Sequence, residues 1–199
     1  ANAAAQVVVQ AEGTVVCRTA ALRAWLNSDG EAPLTAAELA LRLAGERSRG
    51  QRVVFTNGVF DILHRGHIAY LERARALGDI LVVALNSDAS VRRLKGPSRP
   101  LNSLPDRARV LGALGCVDHV VPFDEDTPID LIRLLRPDVY AKGGDYTREM
   151  LPEAPVVEEY GGQVHILGYI DGHSTTSLVE RIVGRNGHRR EANLLEAAS

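Results

Sequence analysis

Cysteine is scarce in this sequence, since Cys17 and Cys116 are the only two among 199 residues and form no CxxC pair. One disulfide between them is conceivable, but two reduced thiols in the cytoplasm are the simpler interpretation. No apolar run approaches the ~20 residues that span a bilayer, so no membrane segment is expected. The net charge of -2 argues against a nucleic-acid binder that works through bulk positive charge.

What the sequence does contain is typical of a folded domain. Hydrophobic residues make up 45% and charged residues 24%, which excludes a largely disordered or fibrous chain. No basic stretch precedes the first apolar run, and Glu12 soon interrupts that run, so a secretory signal peptide is not expected. The length suits one sizeable domain with an appendage.

Short β-branched runs alternate with helical patterns from residue 52 onward. The predicted strands are residues 52–56, 80–85, 119–122, 138–141 and 164–167, and the predicted helices are residues 67–77, 104–114, 127–135 and 174–183. Such alternation predicts right-handed βαβ units. We therefore predict an α/β fold with a doubly wound, Rossmann-like parallel sheet over about residues 50–185.

The start of the main domain is signalled by Thr35 and Glu38, which have the spacing of a capping box. We expect this helix to run to Arg49, with Gly50 ending it. The predicted organisation is an N-terminal helical appendage and linker over residues 1–33, a main domain over residues 34–187, and a tail over residues 188–199.

The most informative segment runs from residue 56 to residue 67, with the sequence TNGVFDILHRGH. It joins the first predicted strand to a helix, where a doubly wound sheet binds its ligand. Gly58 allows the backbone to pass close to a ligand, and Gly66 leaves the amino end of the helix open to an anion. His64 and His67 flank that end and can donate hydrogen bonds to phosphate oxygens.

Two other interpretations of these histidines stay open. Zinc would need further His, Cys or carboxylate ligands, and Asp61 is the only candidate inside the segment. Alternatively, the histidines could be structural residues with no ligand. We favour phosphate binding over both.

Residues 64–67 (HRGH) match the HxGH signature of the nucleotidyltransferase superfamily, and residues 56–64 resemble the TNGxFDxLH form that is typical of heptose-1-phosphate adenylyltransferases. The resemblance continues in order through residues 86–96 (NSDASVRRLKG), 99–100 (RP), 106–107 (DR), 142–146 (KGGDY) and 171–176 (DGHSTT). It covers about residues 34–185. HxGH alone would be a weak signal, but the ordered set is specific.

The resemblance implies transfer of AMP from ATP to D-glycero-D-manno-heptose 1-phosphate, which yields ADP-heptose and pyrophosphate. It also implies that His64 and His67 contact the triphosphate and stabilise the five-coordinate transition state, while Lys95 holds a phosphate group. The alternative for Lys95 is a solvated surface lysine. Mg²⁺ is expected to accompany ATP, held by phosphate oxygens and water without protein ligands. The family is also compatible with a homodimer.

By the same resemblance, further residues contact the two substrates. Those expected at the nucleotide are Thr56, Asn57, Gly58, Phe60, Gly66, Lys142, Gly143, Gly144, Asp145, Ser174, Thr175 and Thr176, and those expected at the acceptor are Asp61, Asn86 and Asp88. Some of them have structural alternatives. Asp61 could brace its loop by accepting backbone N–H bonds, and Asp88 could cap the next helix. Ser174 or Thr175 could likewise be an N-cap, and residues 142–146 could be only a tight turn.

Other functions remain as alternatives. A cytidylyltransferase of the glycerol-3-phosphate type, or another sugar-1-phosphate nucleotidyltransferase, would use other substrates, and a catalytically silent module would only bind a nucleotide. The presence of His64, His67 and Lys95 argues for an active enzyme. Residues 1–26 resemble the closing helix of ribokinase-like sugar kinases, and the sequence starts at Ala1 and not at Met. By this resemblance, either the chain is the carboxyl-terminal part of a protein with an upstream sugar kinase domain, or it is a stand-alone enzyme with a remnant of one.

Overall fold

The computed structural model of the protein describes residues 34–168. Some predictions lie outside these residues: the appendage over residues 1–33 with Cys17, the helix over residues 174–183, the hydroxyl residues Ser174, Thr175 and Thr176, and the tail over residues 188–199. They stay predictions, as do the boundaries of the three segments. Within the described part, no helix is long and apolar enough to cross a membrane.

Strands and helices alternate along the described chain, as the sequence predicts. The strands are β1 (Val53–Gly58), β2 (Ile80–Asn86), β3 (His119–Phe123), β4 (Val139–Gly143) and β5 (Gln163–Leu167). The helices are α1 (Ala36–Arg47), α2 (Arg65–Arg75), α3 (Asp88–Lys95), α4 (Leu104–Gly112), α5 (Ile129–Leu135) and α6 (Ala154–Glu159), and a 3₁₀ turn covers Arg148–Met150. The predicted strand bounds agree with the structure to within about two residues.

The strands form one parallel sheet in the order β3-β2-β1-β4-β5. The chain runs outward from β1 through β2 to β3, and then returns to the other side of β1 with β4 and β5. The two directions separate between β1 and β4, and such a switch point is where open α/β sheets bind ligands. The predicted doubly wound α/β fold is confirmed.

The centre of the sheet is buried on both faces. All of β2, from Ile80 to Asn86, is buried, as its nearly continuous apolar sequence predicts. Alternate side chains of β2 pack against the helices on opposite faces of the sheet. Val82 packs in the cluster that contains α1 and α5, whereas Val83 packs in the cluster that contains α2 and α4. Helices on both faces therefore hold the strand ends in fixed positions around the site.

The first described helix begins where the sequence predicts. The Thr35 side chain accepts a hydrogen bond from the Glu38 amide at 3.3 Å, and the Glu38 carboxylate accepts one from the Thr35 amide at 2.9 Å. Both halves of the capping box are therefore present. The helix ends at Arg47 and not at Arg49, and Gly50 follows with a φ of +78°.

The helix that carries the histidine motif starts earlier than predicted. α2 begins at Arg65 and not at His67, and it ends at Arg75 and not at Leu77. His64 is its N-cap in extended backbone, and its side chain makes no capping hydrogen bond. The motif thus spans the start of the helix, where backbone N–H groups lack intrahelical acceptors.

The N-cap of α3 is Ser87 and not Asp88. The Ser87 hydroxyl accepts a hydrogen bond from the Ser90 amide at 3.0 Å, and Asp88 is the first residue of the helix. Because serine and aspartate are both strong N-cap residues, adjacent candidates cannot be separated by residue type alone. The interpretation of Asp88 as an N-cap is wrong.

Other helix bounds also differ from the predicted ones. α4 ends at Gly112 and not at residue 114, and α5 begins at Ile129 and not at residue 127. The sequence did not predict α6, which has Pro155 in its first turn. Proline is tolerated there because the N–H group that it lacks has no intrahelical partner at that position.

Candidate active site

A cavity of about 620 Å³ lies at the switch point of the sheet. Its wall includes the last residues of four neighbouring strands, Gly58, Asn86, Gly143 and Leu167. The amino end of α2 contributes Gly66 to the same wall. A ligand in this cavity therefore meets both the strand ends and the N–H groups of a helix start, which is a favourable place for an anion.

The two motif histidines lie against each other in this wall. Their ring centroids are 3.9 Å apart with 25° between the ring planes. Phe60 contacts the His67 ring edge-on at a centroid distance of 5.3 Å. Nδ1 of His67 is buried and makes no hydrogen bond within residues 34–168. His67 is thus packed between two rings, which leaves its Nδ1 with hydrogen-bonding capacity for a ligand.

The electrostatics of His67 follow from this packing. Burial above all, together with the neighbouring His64 and Lys95 charges, lowers its pKa to about 4. His67 is therefore neutral at pH 7 and donates from one ring nitrogen only. A phosphate group in the cavity would favour the protonated form.

Lys95 lies at the carboxyl end of α3 and lines the same cavity. Its side chain is exposed, and Gly96 follows with a φ of +91°, a conformation that glycine adopts without strain. Since its charge acts on His67, the structure brings the predicted cation and the predicted imidazoles to one place.

The β4 side of the cavity contains a buried polar group. Oδ1 of Asn57 accepts hydrogen bonds from the Tyr140 hydroxyl at 2.9 Å and from Nζ of Lys142 at 3.1 Å. Burial lowers the pKa of the Lys142 ammonium, and the Glu153 charge opposes that shift. Asn57 and Lys142 thus have fixed positions on adjacent strands at the switch point.

Gly143 is required for close packing beside Lys142. A Cβ atom at this position would lie 2.8 Å from the Tyr70 ring. That ring cannot easily move, because the Tyr70 hydroxyl donates to the Ala141 carbonyl at 3.0 Å and lies 2.6 Å from the Thr56 hydroxyl. Thr56 itself is buried below the cavity and does not line it.

Asp61 braces the loop that follows β1. Its carboxylate accepts hydrogen bonds from the Leu101 amide at 2.8 Å, from the Asn102 amide at 2.9 Å and from Arg99 at 2.8 Å. Burial alone would raise the pKa of Asp61, but the Asn102, Leu101 and Arg99 hydrogen bonds outweigh it and the pKa is lowered. Asp61 also lines the cavity, and its contact with the acceptor stays a prediction.

Arg107 holds the loops behind the cavity together. Its side chain is fully buried, and it donates to the carbonyl of Val59 at 2.7 Å and to the carbonyl of Asn86 at 2.9 Å. It also pairs with Asp88 at 2.6 Å, and Asp88 does not line the cavity. Arg107 therefore connects the segments after β1 and β2.

The structure brings most of the described candidate residues together. Those in the cavity wall are Asn57, Gly58, Phe60, Asp61, His64, Gly66, His67, Asn86, Lys95, Lys142 and Gly143, whereas Thr56, Asp88, Gly144 and Asp145 do not line it. The wall also contains Tyr70, Arg73, Arg99, Tyr146 and Glu153, to which the sequence assigned no role. Arg99 and Tyr146 lie in segments that resemble the HxGH nucleotidyltransferases, and nothing else in the sequence indicated that they would line the site.

Acidic, histidine and cysteine side chains are not clustered as metal ligands in the described part of the chain. Within residues 34–168, no three His, Cys, Asp or Glu side chains lie close enough together to hold a metal ion. Cys116 is a free thiol, and burial raises its pKa.

Comparison with known proteins assigns this chain to a family. Residues 55–179 match the cytidylyltransferase-like family. The chain belongs to this family. The resemblance to the HxGH nucleotidyltransferases is thereby confirmed, and the stacked histidines lie within the matched region.

Curated relatives in the cytidylyltransferase-like family are longer proteins. A protein of Syntrophotalea carbinolica named bifunctional protein HldE is 61% identical over 140 residues, which cover 70% of this chain and 29% of that protein. A bifunctional protein HldE of Geobacter sulfurreducens is 49% identical over 191 residues, which cover 94% of this chain and 39% of that protein. The chain thus spans about a third of the length of these relatives.

A solved structure shares the fold. The lipopolysaccharide core biosynthesis protein of Thermoplasma volcanium superposes with a TM-score of 0.50 at 31% identity, covering 61% of this chain and 98% of that one. The shared fold thus accounts for nearly all of that smaller protein.

Proposed function

We propose that this chain is an adenylyltransferase that transfers AMP from ATP to D-glycero-D-manno-heptose 1-phosphate and releases ADP-heptose and pyrophosphate. The observation that carries the proposal is the His64–His67 stack at the start of α2, with Lys95 across the same cavity. The TNGxFDxLH form of the motif supports adenylyl transfer to a heptose. A similar protein takes part in lipopolysaccharide core biosynthesis, and such a saccharide is built from activated sugars.

The chemistry needs no covalent enzyme intermediate. An oxygen of the sugar phosphate attacks the α-phosphorus of ATP, the new P–O bond forms, and the bond to the bridging oxygen breaks as pyrophosphate leaves. The chain aligns the two phosphates and stabilises the charge on the five-coordinate phosphorus. His64 and His67 donate to phosphoryl oxygens, the amino end of α2 adds N–H donors, and Lys95 neutralises charge on the triphosphate.

A divalent cation, Mg²⁺ by the resemblance, would bind with the nucleotide. No cluster of three ligating side chains exists among residues 34–168, so a protein cage does not fit there. Phosphate oxygens and water are the ligands that Mg²⁺ prefers in nucleotide sites. The cation would lower the charge of the triphosphate, and no step is derived through it.

We also infer that this chain supplies one of two activities of a longer protein. The HldE relatives are described as bifunctional, and the chain covers 29% to 39% of their length. The resemblance of residues 1–26 to the end of a sugar kinase supports an upstream kinase domain. Because ATP is the donor, we infer that the reaction takes place in the cytoplasm.

A pyrophosphate-release assay tests the proposed function. ATP, CTP, GTP and UTP are each paired with a panel of sugar 1-phosphates and with glycerol 3-phosphate. We expect the highest kcat/KM for ATP with D-glycero-D-manno-heptose 1-phosphate. A clear preference for CTP with glycerol 3-phosphate would overturn the proposal, and binding of ATP without any turnover would indicate a silent module.

A further inference from the structure

Glu153 is a buried carboxylate in the cavity wall that the proposed reaction does not use. Its residue exposure is 5%, and it lines the cavity beside the end of β4. Oε2 is buried and makes no hydrogen bond within residues 34–168. Acidic side chains are almost never fully buried unless they are paired, so this oxygen is a candidate contact for a ligand.

Helix capping does not account for Glu153. The residue is the N-cap of α6, but its backbone is helical there and its side chain makes no capping hydrogen bond. Lys142 does not account for it either, because Oε2 of Glu153 accepts no hydrogen bond from that ammonium, which instead donates to Oδ1 of Asn57 at 3.1 Å. The charge of Glu153 nevertheless acts on Lys142 and on Tyr140.

The charge of Glu153 restricts what can lie beside it. His64, His67 and Lys95 form the phosphate end of the cavity, and a carboxylate would repel a phosphate group. A neutral hydrogen-bond donor suits Glu153, since an ionised carboxylate only accepts hydrogen bonds. Lys142 is close by and only donates. A hydroxyl group can satisfy both, because it donates one hydrogen bond and accepts others.

We propose that Glu153 and Lys142 form a hydroxyl-binding site for a substrate of this reaction, with Oε2 of Glu153 accepting a hydrogen bond from a ring hydroxyl and Nζ of Lys142 donating to a neighbouring one. The inference rests on the proposed function, in which both substrates carry vicinal hydroxyls close to a phosphate. The hydroxyls come either from the ribose of ATP or from the acceptor sugar. The shared chemistry is a cis- or trans-diol next to a phosphate-binding site.

The test compares Glu153→Gln with the wild type on substrates that have or lack single hydroxyls. The amide keeps the shape of the side chain and removes the charge. We expect the KM of the substrate that Glu153 contacts to rise about 10-fold or more, as for a lost hydrogen bond to a charged group, while the KM of the other substrate stays unchanged. Glu159→Gln is the control, because Glu159 lies exposed on the same helix and outside the cavity wall.

Deoxy analogues identify the source of the hydroxyl. 2′-deoxy-ATP and 3′-deoxy-ATP form one arm, and deoxy sugar 1-phosphates form the other. The wild type should discriminate against one analogue, and Glu153→Gln should lose that discrimination, which a merely structural role would not produce. An unchanged KM for both substrates, or undiminished discrimination by the variant, would overturn the inference.

Equilibrium titrations separate this inference from the proposed function. If the wild type releases no pyrophosphate from any pair, the proposed function fails. Binding of the same nucleotides and sugar phosphates to the wild type and to Glu153→Gln still tests the hydroxyl site. Equal dissociation constants for the two proteins with every ligand would contradict it.

Discussion

The imidazole rings of His64 and His67 are stacked at a centroid distance of 3.9 Å across the first turn of α2. Two protonated rings at this distance would repel each other in a buried wall. His67 is therefore neutral at pH 7 until an anion enters the cavity. Phosphate binding and protonation of His67 should be coupled, because a bound anion stabilises the charged form of the ring.

This coupling predicts the titration of His67. Burial and the neighbouring charges lower its pKa to about 4 in the free protein, and a triphosphate should raise it. The imidazole signals of His67, followed by NMR from pH 3.5 to 8, should move to a higher midpoint when a non-hydrolysable ATP analogue is added. A free-protein midpoint near the ordinary 6.5 of histidine would show that the ring is not desolvated as described.

The same shift predicts how stability depends on pH. The unfolded chain binds a proton at this histidine near pH 6.5, whereas the folded protein does so only near pH 4. The free energy of unfolding should therefore fall as the pH drops between these two values. Urea unfolding at pH 7 and pH 5 measures this slope, which should be smaller in His67→Gln. Equal slopes in the two proteins would contradict the assignment.

Replacement of Arg107 by lysine should destabilise the fold and weaken the site. A lysine cannot reach the carbonyls of Val59 and Asn86 together with the Asp88 carboxylate, so buried acceptors lose their donors. We expect a loss of about 3–5 kcal/mol in the free energy of unfolding and a higher KM for the nucleotide. Arg133→Lys, at an exposed ion pair on α5, should change stability by less than about 0.5 kcal/mol. Equal effects of the two substitutions would refute the positioning role.

Gly143→Ala should disturb the wall of the cavity. The new methyl group would lie 2.8 Å from the Tyr70 ring, and the hydrogen bonds of Tyr70 oppose a shift of that ring. We expect a loss of about 1–3 kcal/mol in stability, as for other overpacked sites. Gly112→Ala is the matched control, since its Cβ would meet nothing within 4 Å and alanine is favoured in helices. Thermal unfolding of both variants measures the difference.

The sequence predicted the parts of the fold that depend on local pattern. The apolar run of β2 and the capping box at Thr35 lie where they were expected, and the histidine motif lies at the switch point. These features can be recognised from residues that are close in sequence. A strand buried on both faces has a continuous apolar run, and a capping box has a fixed three-residue spacing. The parallel arrangement of the strands in turn followed from the alternation of strands and helices, whereas their order in the sheet is known only from the structure.

Contacts between distant segments could not be predicted in this way. Arg107 is charged and lies on an amphipathic helix, where the ordinary expectation is a solvated side chain. It is buried because acceptors at the ends of β1 and β2, Val59 and Asn86, and at the start of α3, Asp88, converge on it, and only the tertiary structure provides them. The same holds for Glu153, whose burial depends on packing of α6 against the sheet. The alternative in which Asp88 caps α3 is wrong because the adjacent Ser87 takes that position.

The most direct test of the account is the rate of pyrophosphate release by His67→Ala with saturating ATP and heptose 1-phosphate. Circular dichroism should first establish that the variant is folded, and His119→Asn, on β3 and outside the cavity wall, serves as the control. If His67 stabilises the transition state, kcat should fall by ~10²-fold or more, while the control keeps the wild-type rate. A His67→Ala variant that turns over as fast as the wild type would contradict the central claim.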